Sequence, residues 1–233
     1  RPADMLGAAD WTALALSLRV AAVATLAGVP LALLTGYALA RWRFPGHGAL
    51  NVLSHLPLVL PPVVTGYLLL LALGPQTALG AFLENRLGLV FAFRWTGAAL
   101  AAGIMAFPFM VRAIRLSVEA VDPRLEAAAA TLGASRGRVF LTVTLPLIVP
   151  GILAGAVLAF AKGMGEFGAT ITFVSNIPGE TRTLPLAIDV LIQTPGGEAR
   201  AALLASVSVA VAAGALVVSE VVSRRVAARI GAG

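Results

Sequence analysis

The sequence predicts an all-α, polytopic bundle of transmembrane helices. Hydrophobic residues make up 59% of the 233 residues and charged residues only 12%, whereas a soluble domain carries roughly 25% charged residues. Apolar stretches of about 20 residues, the length that crosses a bilayer, recur along the chain. Most of the chain therefore has lipid rather than water as its solvent.

Five stretches reach the length of a membrane-spanning helix. They run over residues 11–40, 50–73, 95–118, 140–161 and 201–222. Several contain proline, which is tolerated where neighbouring helices or water satisfy the freed carbonyl groups. Two interpretations of these prolines stay open, namely bent helices around a cavity and ordinary kinks.

Two further apolar segments, residues 165–175 and 183–192, are too short to cross alone. They are expected to be re-entrant halves, which would allow a sixth span, or extracytoplasmic helices that cap the bundle. No internal repeat and no separate soluble domain is recognisable. We expect an extracytoplasmic N-terminus at 1–10, one transmembrane domain at 11–225 and a cytoplasmic tail at 226–233.

Arginines predict the orientation, because cytoplasmic loops collect positive charge. The smaller set comprises Arg1, Arg86, Arg94, Arg182 and Arg200. The larger set comprises Arg41, Arg43, Arg112, Arg115, Arg124, Arg136, Arg138, Arg224, Arg225 and Arg229. The larger set is predicted to face the cytoplasm, which places the N-terminus outside and the C-terminus inside.

Composition and motifs argue against several other classes. The net charge of +6 does not indicate nucleic-acid binding, because the cations are scattered and lack a basic patch. The absence of cysteine excludes disulfides and thiolate metal sites, and two histidines are too few for a His-rich metal site. No phosphate-binding loop and no convincing catalytic pair is present, so we expect neither an enzyme nor a cofactor.

A charged segment between the third and fourth spans predicts a short cytoplasmic helix. Asp122 is suited to capping a helix N-terminus and Pro123 to its first position, while Gly133 suits its end. One face is apolar at helical spacing, formed by Leu125, Ala128, Ala129 and Leu132. Such a helix either docks on a soluble partner or lies on lipid headgroups with Arg136 and Arg138.

This segment resembles the EAA loop of ABC importer permeases, a pattern of Glu-Ala-Ala, three residues, Gly, nine residues, Ile, one residue and Leu-Pro. The spacing is met by Ala127, Ala128, Ala129, Gly133, Val143, Leu145 and Pro146. Two positions depart from the pattern: Ala127 occupies the Glu position, with Glu126 adjacent, and Val143 replaces Ile. The resemblance implies a coupling helix that sits in a groove of a cytoplasmic ATPase subunit.

Other stretches look like the molybdate-type permeases of the same family. They are residues 55–64, 107–108 with 112–115, 165–183 and 193–197, and together they span nearly the whole chain. The resemblance implies an inner-membrane homodimer with a central path, two copies of an ATPase subunit and a soluble oxyanion-binding protein docked outside near 176–198. ATP would be hydrolysed by the partner chain.

Ionisable and hydroxyl side chains near the end of the fourth span are candidates for the path. Lys162 and Glu166 are four residues apart and pair if the helix continues, either as a structural pair or with Lys162 attracting an oxyanion. The candidates for a path or gate are Lys162, Glu166, Thr170, Thr172, Ser175 and Asn176. A polar helix terminus explains the last four equally well. Gly151 and Gly155 form a small-residue pattern, expected to serve packing within the bundle rather than a dimer seam.

The sequence therefore predicts the permease subunit of an ATP-driven importer of molybdate and tungstate. One alternative is a sulfate or thiosulfate permease of the same architecture. A second is an ion-coupled carrier, which typically shows inverted repeats that this chain lacks. A third, an intramembrane enzyme, lacks a nucleophile and base.

Overall fold

The computed structural model describes the backbone of residues 7–231, and the side chains of residues 7–218, 220 and 221. This part of the chain is helical and contains no strand. The helices are α1 (Ala8–Arg41), α2 (His47–Val59), α3 (Pro62–Leu73), α4 (Ala78–Leu87), α5 (Trp95–Glu119), α6 (Pro123–Thr131), α7 (Arg136–Val139), α8 (Leu145–Met164), α9 (Gly168–Val174), α10 (Leu184–Ile192) and α11 (Glu198–Gly231). A π-helical turn, Phe140–Thr144, joins α7 to α8. Most of the predicted N-terminal segment, and residues 232–233 of the tail, lie outside the described residues.

Among the described residues, four helical stretches are long and apolar enough to cross a membrane, and they correspond to four of the five predicted spans. They are Ala8–Arg41, Trp95–Glu119, Arg136–Met164 and Glu198–Val218. Pro30, Pro108 and Pro150 lie inside these continuous helices. An interior proline removes one backbone hydrogen bond, but here the helix continues on both sides of each one.

The second predicted span is two helices rather than one. The axes of α2 and α3 differ in direction by 116°. Leu60 and Pro61, between them, have extended backbone with ψ of 137° and 135°. A residue before proline is driven out of the helical region, so the consecutive prolines Pro61 and Pro62 end α2, and Pro62 starts α3. The segment predicted as one span over residues 50–73 is thus a sharply bent pair of helices rather than one continuous helix, and the pair together is long and apolar enough for a broken span or a re-entrant loop.

The two short apolar segments form α9 and α10, neither of which is long enough to cross a membrane alone. Helix α9 packs against α3 and α5, whereas α10 packs against α11 and α1. Helix α4 was not predicted. The Thr77 hydroxyl accepts a hydrogen bond from the Gly80 N–H at 3.0 Å and Gly88 ends the helix in the left-handed region, so both capping signals were present in the sequence.

The core lies among α1, α5 and α8, which pack against one another. A Cβ atom at Gly151 of α8 would lie 1.7 Å from the Ser117 Oγ atom of α5, and one at Gly155 would lie 3.2 Å from the Ala113 Cβ atom. The small-residue pattern on α8 therefore brings that helix close to α5 within one chain, as the sequence predicts.

At the end of the bundle where α1 begins, polar side-chain contacts join α1 to α10 and α11. The Asp10 carboxylate, buried, accepts hydrogen bonds from the Arg200 guanidinium at 2.5 and 2.7 Å. The Ser17 hydroxyl accepts a hydrogen bond from the Leu184 N–H at 2.6 Å. The first half of α1 is thereby linked to the starts of α10 and α11 by residues far apart in the sequence.

Candidate functional site

Helix α6 is a short, exposed helix at the end of the bundle where α1 and α5 finish. The Asp122 side chain caps it by accepting a hydrogen bond from the Arg124 N–H at 2.9 Å. None of the residues of α6 is buried. On the predicted apolar face, Leu125 is 49% exposed, and beyond the helix end Leu132 is 89% exposed. The helix therefore presents apolar side chains that the described part of the chain leaves uncovered.

The end of α6 depends on a glycine. Gly133 has a φ of +85°, a conformation that side chains with a Cβ atom disfavour. The Ala134 N–H donates to the Ala129 carbonyl at 3.2 Å, and the Gly133 N–H donates to the Ala130 carbonyl at 3.0 Å. The reversal lets the chain turn back through α7 towards the membrane-spanning α8.

Glu126 ties this exposed helix to two other elements. Its Oε1 atom accepts a hydrogen bond from the buried Thr144 hydroxyl at 2.6 Å, and its Oε2 atom lies 3.5 Å from the Arg41 guanidinium. Arg41 also donates to the Val121 carbonyl at 3.1 Å. Glu126 therefore joins α6 by side-chain contacts both to the end of α1 and to the turn that leads into α8.

The other residues of the predicted coupling loop lie on both sides of this tether. Ala127 and Ala128 are exposed on α6, and Ala129 is half-buried. Leu145 and Pro146 open α8 directly after the π-helical turn, and Leu145 packs against the core between α1 and α5. The loop thus joins an exposed helix to a span anchored in the core. The sequence analysis did not predict the contacts of Glu126 with Arg41 and Thr144, because both contacts depend on tertiary packing.

At the opposite end of α8, Lys162 and Glu166 form the predicted pair, but not by continuing the helix. Helix α8 ends at Met164, and the Lys162 Nζ atom lies 2.5 Å from the Glu166 Oε2 atom. The Glu166 side chain is 1% exposed, and its second oxygen accepts a hydrogen bond from the Ala169 N–H at 3.1 Å. Glu166 therefore links the end of α8 to the start of α9.

The remaining path candidates are spread over α9 and the loop that follows it. Thr170 is buried, and the Thr172 hydroxyl donates to the Gly168 carbonyl of its own helix at 2.9 Å. Ser175 is exposed, with a φ of +63°. The Asn176 side-chain oxygen accepts a hydrogen bond from Arg182 at 2.8 Å. Within the described residues, a side-chain hydrogen bond joins Lys162 to Glu166 and joins no other two members of the predicted set.

Two further features bear on what the site can do. Among the residues that the structure describes, no group of three or more His, Cys, Asp or Glu side chains is placed to hold a metal ion. Arg19, in the first span, lies with its guanidinium carbon 3.6 Å from the centroid of the Trp95 ring, a cation–π contact that sequence reasoning did not predict.

Comparison with known proteins identifies a family over most of the chain. Residues 28–229 match the family described as the inner membrane component of binding-protein-dependent transport systems. The molybdenum transport system permease protein ModB of Escherichia coli K12 is 56% identical over 215 residues, covering 92% of this chain and 94% of that protein. The sulfate transport system permease protein CysT of Salmonella typhimurium is 36% identical over 177 residues, covering 76% of this chain and 64% of that protein.

Solved structures agree on the fold. The crystal structure of a bacterial alginate ABC transporter, in complex with an alginate pentasaccharide-bound periplasmic protein, superposes with a TM-score of 0.73. The alignment covers 92% of this chain and 78% of that chain, at 19% sequence identity. At this identity the similarity shows a common fold only.

Proposed function

The chain belongs to the family of inner membrane components of binding-protein-dependent transport systems, and from this we propose that it is the permease subunit of an ATP-driven molybdate importer. The similarity to the E. coli molybdenum permease, 56% identical over 92% of this chain, carries the proposal. The protein is a multi-pass inner-membrane protein and a transporter subunit rather than an enzyme. Tungstate, a tetrahedral oxyanion like molybdate, is proposed as a second substrate.

The coupling segment is proposed to comprise Glu126, Ala127, Ala128, Ala129, Gly133, Leu145 and Pro146. It is supported by the exposure of α6 and by the contacts of Glu126 with Arg41 and Thr144. A cytoplasmic ATPase subunit covers the apolar side of α6 in this proposal. Closure of two such subunits moves α6, and the tether at Glu126 passes that motion to α1 and α8.

The transport path is proposed to run between two copies of the chain. Five spans are counted when α2 and α3 are taken as one broken span, with the N-terminus outside and the C-terminus in the cytoplasm. Lys162, Glu166, Thr170, Thr172, Ser175 and Asn176 then lie towards the outer side, where an oxyanion-binding protein delivers its ligand near residues 176–198. The single permease domain spans residues 11–225.

Reconstitution tests the substrate and the coupling together. The chain is inserted into vesicles with its ATPase partner and oxyanion-binding protein, and ATP hydrolysis is measured with molybdate, tungstate or sulfate. We expect stimulation by molybdate and tungstate. Stimulation by sulfate alone would move the chain to the sulfate branch, whose relative is less similar.

A pair of glycine variants tests the coupling segment in the same assay. Gly133→Val forces a β-branched residue to a φ of +85°. The strain of roughly 1–2 kcal/mol should weaken docking of α6 on the ATPase about tenfold and so lower the stimulated hydrolysis. Gly137→Val is the matched control, because Gly137 does not have a positive φ and no atom lies within 4 Å of its added Cβ. Equal activity of the two variants would contradict the proposed role of α6.

A further inference from the structure

A basic and aromatic cleft lies beside the coupling segment, where α1 and α5 end. Its volume is about 400 Å³, and its lining includes Arg41, Trp42, Arg43, Phe44, Arg115 and Glu119. Trp42 is 50% exposed and Phe44 36% exposed. We propose that this cleft binds the phosphate headgroup of an anionic phospholipid of the cytoplasmic leaflet.

The charges of the cleft are only partly balanced by the chain. Arg115 donates to Glu119 at 2.7 Å and to the Asn51 side-chain oxygen at 3.0 Å. Arg43 has no ion pair or hydrogen bond to any side chain that the structure describes. The three arginines of the lining thus face two carboxylates, Glu119 in the lining and Glu126 beside Arg41, and the remaining positive charge attracts an anion.

Arg41 adds a buried donor that lacks an acceptor. One Nη atom of Arg41 donates to the Val121 carbonyl and lies near Glu126. Its Nε atom is buried and has no hydrogen-bond partner among the described residues. Buried polar groups are nearly always hydrogen-bonded, so the described chain leaves this guanidinium incompletely paired. The cleft that Arg41 lines has room for a phosphate, whose oxygens suit a guanidinium.

The aromatic side chains favour a lipid over a soluble anion. Exposed Trp and Tyr residues collect at the membrane–water interface, where the ring contacts acyl chains and headgroups. Trp42 stands between Arg41 and Arg43 in the sequence and packs edge-on to Tyr37 with ring centroids 5.9 Å apart. Basic pockets between membrane helices on the cytoplasmic side bind anionic headgroups. The assignment to the cytoplasmic leaflet rests on the proposed orientation, whereas binding itself does not.

Occupancy of the cleft would act on the coupling segment through Arg41. The same guanidinium contacts Glu126 of α6, and a phosphate in the cleft holds the Arg41 side chain in the position that receives Glu126. An anionic headgroup therefore stabilises the tethered arrangement of α6.

Tryptophan quenching tests this site on the full chain without its transport partners, so a failure of the proposed substrate leaves the result unaffected. Trp11 and Trp95 are replaced by Phe, which leaves Trp42 as the sole tryptophan of the three. The protein is placed in phosphatidylcholine vesicles that contain a fixed fraction of brominated phosphatidylglycerol or of brominated phosphatidylcholine. We expect stronger quenching by the brominated phosphatidylglycerol.

Charge variants locate the preference in the cleft. Arg43→Gln should weaken the preference for phosphatidylglycerol about fivefold, the effect of one surface arginine, and Arg43→Lys should retain it. Arg124→Gln, the same change on exposed α6 outside the cleft lining, should leave it unchanged.

Three outcomes would overturn the proposal. The first is equal quenching by the two brominated lipids. The second is an equal loss in Arg43→Gln and Arg124→Gln, which would indicate general surface charge rather than a site. The third is loss of the preference on adding inorganic phosphate at matched ionic strength, which would assign the cleft to a free anion.

Discussion

The single carboxylate of Glu166 connects the end of α8 to the start of α9. Its side chain is 1% exposed, pairs with Lys162 and caps the first turn of α9 through the Ala169 N–H. Lys162 itself is 34% exposed, so solvent screens part of the ion pair. The hydrogen bond to the buried backbone N–H is therefore expected to contribute more than the ion pair.

Substitutions at Glu166 should separate these two contributions. Glu166→Ala removes both and should lower the free energy of unfolding by about 2–3 kcal/mol, because a buried N–H loses its acceptor. Glu166→Gln keeps an acceptor oxygen and should cost about 1 kcal/mol. Thermal unfolding of the purified protein in detergent measures both, with exposed Glu84→Gln as the control.

The variant Lys162→Ala tests whether the Lys162–Glu166 pair also contributes to the proposed transport path. A structural pair predicts a lower melting temperature with normal transport per folded molecule, whereas a path residue predicts lower transport per folded molecule.

For the Glu166 variants, a lower melting temperature of Glu166→Gln than of Glu166→Ala would contradict the capping role of Glu166.

At the scale of elements, the close approach of α8 to α5 depends on the absence of a Cβ atom at Gly151. A Cβ atom there would lie 1.7 Å from the Ser117 Oγ atom and 2.5 Å from the Ser117 Cβ atom. Rotation of the hydroxyl relieves the first contact but not the second. The two helices must therefore separate if both positions carry a Cβ atom.

A swap of side chains across this contact should restore stability. Gly151→Ala alone should cost about 1–3 kcal/mol from overpacking, and Ser117→Gly in the same chain should recover most of that loss. Gly214→Ala is the matched control, because no atom lies within 4 Å of its added Cβ atom. Additive losses in the double variant, measured by thermal unfolding, would show that the contact does not limit the packing.

Composition and local sequence signals predicted the helices better than they predicted how the helices pack against one another. Hydropathy predicted four of the spans, and Asp122, Pro123 and Gly133 predicted the bounds of α6. The 116° turn at Leu60–Pro61 was not predicted, because a proline signals a break in a helix but not the direction of the chain beyond it. The contact of Glu126 with Arg41 depends on tertiary packing, which no local pattern encodes.

For the whole molecule, the proposed topology places α6 and the turn after α10 on opposite sides of the membrane. Both are exposed, at Ala130 and Thr194. The chain has no cysteine, so a single introduced thiol is the only one it carries. Topology can therefore be measured on an otherwise natural sequence.

Labelling of spheroplasts with a membrane-impermeant thiol reagent should distinguish the two positions. Thr194→Cys should react in intact spheroplasts, and Ala130→Cys only after permeabilisation, because the bilayer separates them. Detergent-solubilised protein, in which both thiols should react, controls for local accessibility. Reaction of Ala130→Cys first would reverse the orientation, and equal reaction would place both on one side.

The exposure of α6 has a thermodynamic consequence. Since none of its residues is buried within the chain, little apolar surface opposes its local unfolding, and a segment of this kind opens at a free energy far below that of the bundle. We therefore expect the free chain to hold α6 less rigidly than it holds the helices of the bundle. In the proposed assembly, the rigidity of the connection from α6 to α1 and α8 therefore depends on the partner that covers α6.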